Sequence, residues 1–132
     1  QQVRSDGNAY YEKKAREAAE EKEVKKVYKN DKWERVLTHI ASDNSNDWRA
    51  AILECDIILE QMVDVMGYRG DNLGEKLKNV ERSDFVSIDK AWEAHKVRNL
   101  IAHEGSDFVM SHREAKRIVE LYRLVFEEFK FV

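Results

Sequence analysis

The sequence predicts an all-α fold: a small antiparallel helical bundle with an additional charged N-terminal helical arm. The 132 residues include no proline and only five glycines, and 37 % of them are charged, mostly as mixtures of Glu, Lys and Arg that favour helix. Apolar residues recur at intervals of three and four over most of the chain. A chain of this length is expected to form one domain whose core needs no disulfide or metal.

The first predicted element is a solvated helical arm over residues 1–30. It is rich in Ala, Glu and Lys, and Glu12 and Arg16 have the i,i+4 spacing that supports an exposed helix. Its apolar stripe is narrow, so little of it is expected to be buried. A new helix is predicted to start at Asn30 or Asp31, because either side chain can cap the apolar stripe that follows. The bundle is therefore assigned to residues 31–132.

The second predicted element is a long central helix. Residues 41–47, "ASDNSND", are small and polar and predict a loop, after which Asn46 or Asp47 caps the helix and Gly67 ends it. The carboxylates along it, Glu54, Asp56, Glu60 and Asp64, are assigned to a solvated face, and a general acid/base pair among them stays open as the alternative. The opposite, broad apolar face predicts a place in the core; it consists of Trp48, Ala51, Ile52, Cys55, Ile58, Leu59, Met62, Val63 and Met66.

Three more helices complete the predicted bundle. Asp71 is assigned as the N-cap of a short helix, and Ser87 as the N-cap of a longer one that ends at Gly105, where a left-handed residue is expected. Ser111 and Glu114 form an S-x-x-E capping box for the last helix. The residues of that helix predicted to face inward are Ile118, Leu121, Tyr122, Val125, Phe126 and Phe129.

Charge and cysteine content narrow the classes of function. A formal net charge of −3 argues against broad, non-specific attraction to nucleic-acid phosphates. The only cysteine, Cys55, is predicted to be a small core residue, and a chain without an internal disulfide suits a reducing, cytoplasmic compartment. No stretch approaches the roughly 18 apolar residues of a membrane span. Because the sequence does not begin with Met, an anchor or targeting segment before residue 1 stays compatible with it.

The second half of the fourth predicted helix, "WEAHKVRNLIAHE", carries the most specific polar pattern in the chain. At about 100° per residue, His95, Asn99 and His103 lie within an arc of roughly 80°, with Arg98 on the flank. The apolar residues Val97, Leu100 and Ile101 are assigned to the opposite side. A structural interpretation also exists, since a histidine before a terminal glycine interacts favourably with the helix dipole, and His95 alone is typical of a surface histidine.

"RNLIAH" resembles the signature of HEPN domains (higher eukaryotes and prokaryotes nucleotide-binding): Arg, a polar residue such as Asn, then His after four to six intervening positions. Arg98, Asn99 and His103 match it residue by residue. In that family the motif lies near the end of the third long helix of a four-helix bundle, with a helix after it. Residues 47–131, about two-thirds of the chain, supply this context, and the N-terminal arm lies outside the resemblance.

The resemblance implies a metal-independent endoribonuclease in which two copies of the chain bring their motifs together as a homodimer. His103 is then the acid/base, Arg98 binds the phosphate and Asn99 orients one of them, while His95 is an accessory candidate. Such chemistry yields 2′,3′-cyclic phosphate ends and needs no cofactor. A zinc site is not expected, because His95 and His103 are about 12 Å apart along a helix.

Three functions stay open on the sequence alone. The first is a ribonuclease of the toxin or phage-defence type, with RNA as substrate and an antitoxin or another protein as partner. The second is a non-catalytic HEPN-like module that binds a nucleotide, RNA or protein. The third is the soluble part of a membrane-anchored interaction protein, in which the N-terminal arm links the bundle to its anchor.

Overall fold

Helices account for all the regular structure along residues 2–132 of the computed structural model, whose side chains are described for residues 9–21 and 31–132. No strand occurs in this part of the chain, so the predicted all-α class is confirmed. The α-helices are α1 (Gln2–Ala41), α2 (Ser45–Val65), α3 (Leu73–Lys78), α4 (Ile88–Glu104) and α5 (His112–Glu128), and 3₁₀ turns occur at Arg82–Asp84 and Gly105–Asp107.

Helix α1 is longer than predicted, because its backbone stays helical through residues 30 and 31. The predicted new start there is wrong: no proline or glycine interrupts this stretch, and Asn and Asp are tolerated inside a helix when packing beyond them is favourable. The side chain of Asn30 lies outside the described residues. All side chains from 9 to 21 are exposed, whereas Val36 and Ile40 are buried, so the packed part of α1 is its C-terminal end.

Side-chain contacts define how α1 packs against α2. Arg35 Nη2 lies 3.2 Å from Glu54 Oε1, and Ser42 Oγ donates a 2.6 Å hydrogen bond to Asp47 Oδ2 near the connection. Moving back along α1 from the connection therefore corresponds to moving forward along α2, which makes the two helices antiparallel. The three-residue connection between them permits no other arrangement of long neighbouring helices.

A second antiparallel pair is formed by α4 and α5. Arg117 Nη1 of α5 lies 2.7 Å from Glu93 Oε2 of α4. At the far end of α5, the Glu128 carboxylate accepts hydrogen bonds of 2.8 Å from the backbone N–H groups of Val86 and Ser87 and one of 2.5 Å from the Ser87 hydroxyl. Glu128 thus fixes the start of α4 to the end of α5, and it supplies the negative charge that a helix N-terminus favours.

Two N-caps differ from prediction. Asn44 caps α2, since its side chain accepts a 2.9 Å bond from the N–H of Asn46, so the position predicted as the cap already lies inside the helix. Asn72, one residue after the predicted Asp71, caps α3 by accepting from the N–H of Glu75. Both true caps have the extended backbone that a capping residue requires, which sequence alone does not reveal.

The remaining helix ends agree with prediction. Ser111 Oγ accepts a 3.0 Å hydrogen bond from the N–H of Glu114, which confirms the predicted start of α5. Ser87 is the N-cap residue of α4, although its side chain bonds to Glu128 and not to its own helix. Gly105 ends α4 with a φ of 59°, where a residue with a Cβ would be strained.

The helical packing is compact, and its core lies where α1, α2, α4 and α5 meet. Cys55 is buried, as predicted. Of the α5 residues predicted to face inward, Leu121 and Phe129 are half-buried at the margin. No helix in the described part of the chain combines the length and hydropathy needed to cross a membrane. The largest fully buried side chains are Tyr122, Phe85, Phe126, Ile52, Ile58, Leu59, Met62, Leu77, Ile118, Val36, Val63 and Val125.

Candidate functional site

A buried carboxylate stands at the centre of the candidate site. Asp56 of α2 is only 5 % exposed, so its assignment to a solvated face is wrong. It shares the core side of the helix with Ile52 and Leu59, four residues before it and three after it, both fully buried. An ionised carboxylate in such surroundings is tolerated only when charged and hydrogen-bonding partners compensate for the lost water.

Three side chains from two other helices surround this carboxylate. The Tyr122 hydroxyl of α5 donates a 2.8 Å hydrogen bond to Asp56 Oδ1. His95 Nδ1 of α4 lies 3.0 Å from Oδ2 and 3.1 Å from Oδ1. Arg98 Nε, also of α4, lies 3.4 Å from Oδ2 as an ion pair. With 7 % exposure, His95 is buried, and its interpretation as a surface histidine is wrong because Asp56 satisfies its ring inside the protein.

Asn99 extends this network and determines the proton position on His95. Arg98 Nη1 donates to Asn99 Oδ1 at 3.2 Å, which leaves the Asn99 amide nitrogen facing His95 Nε2 at 3.3 Å. An amide nitrogen donates only, so Nε2 must accept, and Nδ1 must carry the proton that binds Asp56. Of the two tautomers of the imidazole, the partners therefore favour the one with its proton on Nδ1; the assignment follows from the network.

These side chains line one wall of an open cleft of about 710 Å³ between α2, α3 and α4. The volume is within the range of about 300–1,000 Å³ that is usual for small-molecule sites. The half-buried ring of Trp92 lines the cleft beside the network. The lining contains charged residues of both signs. The basic ones are Lys78, Lys96 and Arg98, and the acidic ones are Asp56, Glu60, Asp71 and Glu75.

The four site residues predicted from the sequence fall into two places. Arg98, Asn99 and His95 are in contact with one another and line the cleft. His103 is exposed in the last turn of α4, does not line the cleft, and makes no hydrogen bond or ion pair within the described part of the chain. The structure thus groups Arg98 with His95 and leaves His103 open to solvent.

The predicted apolar side of α4 is only partly correct. Ile101 is buried at 3 % exposure, but Leu100 is 45 % exposed and Val97 is half-buried. Besides isoleucines, the inward face of the helix contains small alanines and His95, because Asp56 gives the imidazole a partner in the core. The prediction therefore placed His95 on the polar edge, whereas the structure places it on the buried face.

Two residues of the site, Asp56 and Tyr122, are not among the site residues predicted from the sequence. The signal for Asp56 was its position between Ile52 and Leu59 on an otherwise apolar helical stripe, which only a paired charge can occupy. Tyr122 was predicted to be buried, but its hydroxyl needed an acceptor that periodicity does not identify. Burial, followed by the charge of Asp56, raises the pKa of Tyr122 well above its ordinary value.

No protein-family model, curated protein or solved structure matches the chain in the comparisons with known proteins. Among the described residues, no group of three or more His, Cys, Asp or Glu side chains is arranged to hold a metal ion. The chemistry of the cleft therefore has to be inferred from its own donors, acceptors and charges.

Proposed function

We propose that the chain is a HEPN-like four-helix bundle domain that cleaves RNA without a metal ion through Arg98, Asn99 and His103. The four long helices are α1, α2, α4 and α5, and the motif occupies the second half of the third. One observation carries the proposal: Arg98 is held beside an open cleft by Asp56 and Asn99, while its Nη2 makes no hydrogen bond within the described residues. A fixed guanidinium with free donors is suited to a phosphate.

The chemistry follows from the residue types. A guanidinium stays charged and donates paired hydrogen bonds to phosphate oxygens as negative charge develops on them. An imidazole transfers protons near neutral pH, which the 2′-hydroxyl and the leaving 5′-oxygen both require. His103 is exposed and without a described partner, as expected for a group that completes its site against RNA or a second copy of the chain. The domain would act as a cytoplasmic homodimer of the toxin or defence type, controlled by a protein partner.

The test is cleavage of a mixed RNA pool in EDTA by the wild type, Arg98→Ala and His103→Ala. Arg113→Ala is the matched control, because Arg113 is an exposed arginine of α5 outside the cleft. The proposal predicts products with 2′,3′-cyclic phosphate ends from the wild type and the control, and none from the two motif variants. A folded, dimeric wild type that leaves the RNA intact would refute it, and light scattering on the same samples establishes the dimer.

A second candidate function is RNA binding without cleavage, and a specific observation favours it. The Arg98–Asp56 ion pair also joins α4 to α2, and His103 does not line the cleft that contains Arg98. On this alternative, fluorescence anisotropy of a labelled RNA detects binding that Arg98→Ala weakens and Arg113→Ala does not, while the RNA stays intact. Equal binding by all these variants would exclude the alternative.

A further inference from the structure

We propose that His95, oriented by the buried carboxylate of Asp56, is the general base of this site, and that His103 of the second copy in the proposed homodimer serves as the general acid. The inference rests on the proposed ribonuclease function and assigns its two proton transfers to two different side chains. It makes His95 a catalytic residue and Asp56 a positioning residue. The sequence pattern alone gives the acid/base work to His103 and only an accessory place to His95.

Asp56 fixes the orientation of the His95 imidazole. Both carboxylate oxygens of Asp56 lie 3.0–3.1 Å from His95 Nδ1, so the ring donates from Nδ1 and keeps a lone pair on Nε2. A carboxylate that fixes the tautomer in this way also stabilises the imidazolium that forms when Nε2 takes a proton. The pair therefore has the parts of a general base and its orienting group.

Access to His95 matters as well, because a base must reach the proton that it removes. His95 lines the cleft, and a Cβ added to Gly74 on the opposite wall would lie 3.8 Å from Nε2. Because residue 74 has no side chain, a small space is left beside this nitrogen at the wall of the cleft. Its one hydrogen-bond partner there, Asn99 Nδ2, is at 3.3 Å, a long contact that a substrate hydroxyl can replace.

The network also keeps Asp56 in place while the substrate binds. Tyr122 holds Oδ1 from the core side, and Arg98 approaches Oδ2 from the cleft side. The same carboxylate thus orients the base and the residue proposed to bind the phosphate. Removing its charge is expected to affect proton transfer and phosphate contact together, whereas removing Nε2 affects proton transfer alone.

The proposed reaction is an internal displacement at phosphorus by the 2′-oxygen. The 2′-hydroxyl proton passes to His95 Nε2, the 2′-oxygen forms a bond to phosphorus, and the bond from phosphorus to the 5′-oxygen breaks. The 5′-oxygen takes a proton from the imidazolium form of His103 of the second copy of the chain, and exchange with water restores both histidines. Within one copy the two histidines are eight residues apart, about 12 Å along the helix axis, which is farther than two groups hydrogen-bonded to the attacking and leaving oxygens of one phosphate can be. The acid is therefore taken from the other copy of the proposed homodimer.

An activated substrate separates the base from the acid. Uridine 3′-(4-nitrophenyl phosphate) releases a phenolate that needs no proton, so its cleavage requires the base and not the acid. We expect His103→Ala to lose RNA cleavage but to keep most of its activity on the activated substrate. We expect His95→Asn to lose roughly 100-fold or more on both substrates, which is the usual contribution of a general base. Asn at 95 keeps a donor near the Nδ1 position for Asp56, and Lys90→Ala on the exposed face of α4 is the control.

The outcomes distinguish this inference from the proposed function. If His95→Asn cleaves the activated substrate at the wild-type rate, or if His103→Ala loses it as completely as RNA, the assignment of the base to His95 is overturned while the ribonuclease function stands. A wild type that cleaves neither substrate overturns both. Thermal melts of each variant show that any loss of rate occurs in folded protein.

A spectroscopic measurement tests the role of Asp56 independently of activity. Long-range ¹H–¹⁵N correlation spectra of the wild type should show the His95 proton on Nδ1. In Asp56→Asn, the new amide can donate to Nδ1, which would move the ring proton to Nε2 and abolish the base. We expect this change of tautomer together with loss of cleavage on both substrates. A folded Asp56→Asn with an unchanged tautomer and unchanged cleavage would remove Asp56 from the mechanism.

Discussion

Replacing Tyr122 with Phe tests the energetics of the buried network with the smallest possible change. The substitution removes one oxygen atom and leaves a fully buried ring of the same shape in place. It deletes the 2.8 Å hydrogen bond to Asp56 Oδ1, while His95 and Arg98 stay against the carboxylate. The change therefore isolates one donor to a buried charge without opening a cavity.

The expected cost can be worked out from that single contact. A hydrogen bond to a charged group stabilises a protein by about 1.5–3 kcal/mol, and a buried carboxylate that loses a donor is not resolvated. We therefore expect Tyr122→Phe to lower the free energy of unfolding by about 2 kcal/mol. For a domain of this length, that corresponds to a fall in Tm of about 7 °C. The loss of unfolding free energy stays within this range because His95 and Arg98 still contact the Asp56 carboxylate.

Urea unfolding followed by circular dichroism at 222 nm measures this difference. The urea midpoint should fall while the slope m stays the same, because both forms expose similar surface on unfolding. Tyr68→Phe is the matched control, since Tyr68 is half-buried and its hydroxyl makes no hydrogen bond within the described residues. If Tyr122→Phe unfolds within about 0.5 kcal/mol of the wild type, Asp56 is not the charged hydrogen-bond acceptor described above.

Three further predictions concern other parts of the fold. Burial raises the pKa of Glu128, but the hydrogen bonds from Ser87 and Val86 outweigh this effect and hold that pKa below 4.5. Glu128→Gln should therefore lower the free energy of unfolding by about 1 kcal/mol at pH 7. The difference in unfolding free energy between wild type and variant should shrink as the pH falls through and below 4.5. Burial raises the pKa of Cys55 above 9.0, and the charges of Asp56 and Glu54 add to the effect. The unfolded chain therefore loses the thiol proton at a lower pH than the folded protein does. Above pH 9, the unfolding free energy of the wild type should fall by up to ~1.4 kcal/mol per pH unit more than that of Cys55→Ala. A Cβ at Gly70 would lie 2.7 Å from Glu75 Cβ and 2.8 Å from a backbone nitrogen, so Gly70→Ala should lower the urea midpoint by the equivalent of about 1–3 kcal/mol, and an unchanged midpoint would contradict this packing.

Local signals in the sequence were sufficient to predict the start and the buried face of a helix with a strong amphipathic pattern. Helix α5 starts at the predicted Ser111, and Ile118 and Phe126 are buried on its predicted face, because one wide apolar stripe and one capping box agree. Helix α1 shows the limit of such signals. Asn and Asp at positions 30 and 31 are good caps and also tolerable helix residues, and packing decides between the two states.

The candidate site was predictable only in part, and the reason is physical. Arg98 and Asn99 were predicted on the correct helix, since their residue types carry recognisable chemistry. The burial of His95 depends on Asp56, 39 residues earlier in the chain, and that pairing exists only after α2 and α4 pack together. A hydropathy pattern scores both residues as polar and assigns them to water, although each is the other's partner in the core.

A final experiment asks whether the network exists for stability or for function. Removing one member, as in Asp56→Ala, leaves His95 and Tyr122 buried without their acceptor and should cost about 3–5 kcal/mol. Replacing the buried polar set with apolar residues of similar volume, as in Asp56→Leu/His95→Leu/Tyr122→Phe, removes that penalty, and buried ion pairs treated in this way often leave stability unchanged or increased. Arg98, whose side chain is 37 % exposed, can turn towards water. We therefore expect the triple variant to be more stable than Asp56→Ala in urea unfolding and to lack ribonuclease activity. If the triple variant is instead the less stable of the two, the carboxylate and its donors hold the bundle together, and their presence in the core needs no catalytic explanation.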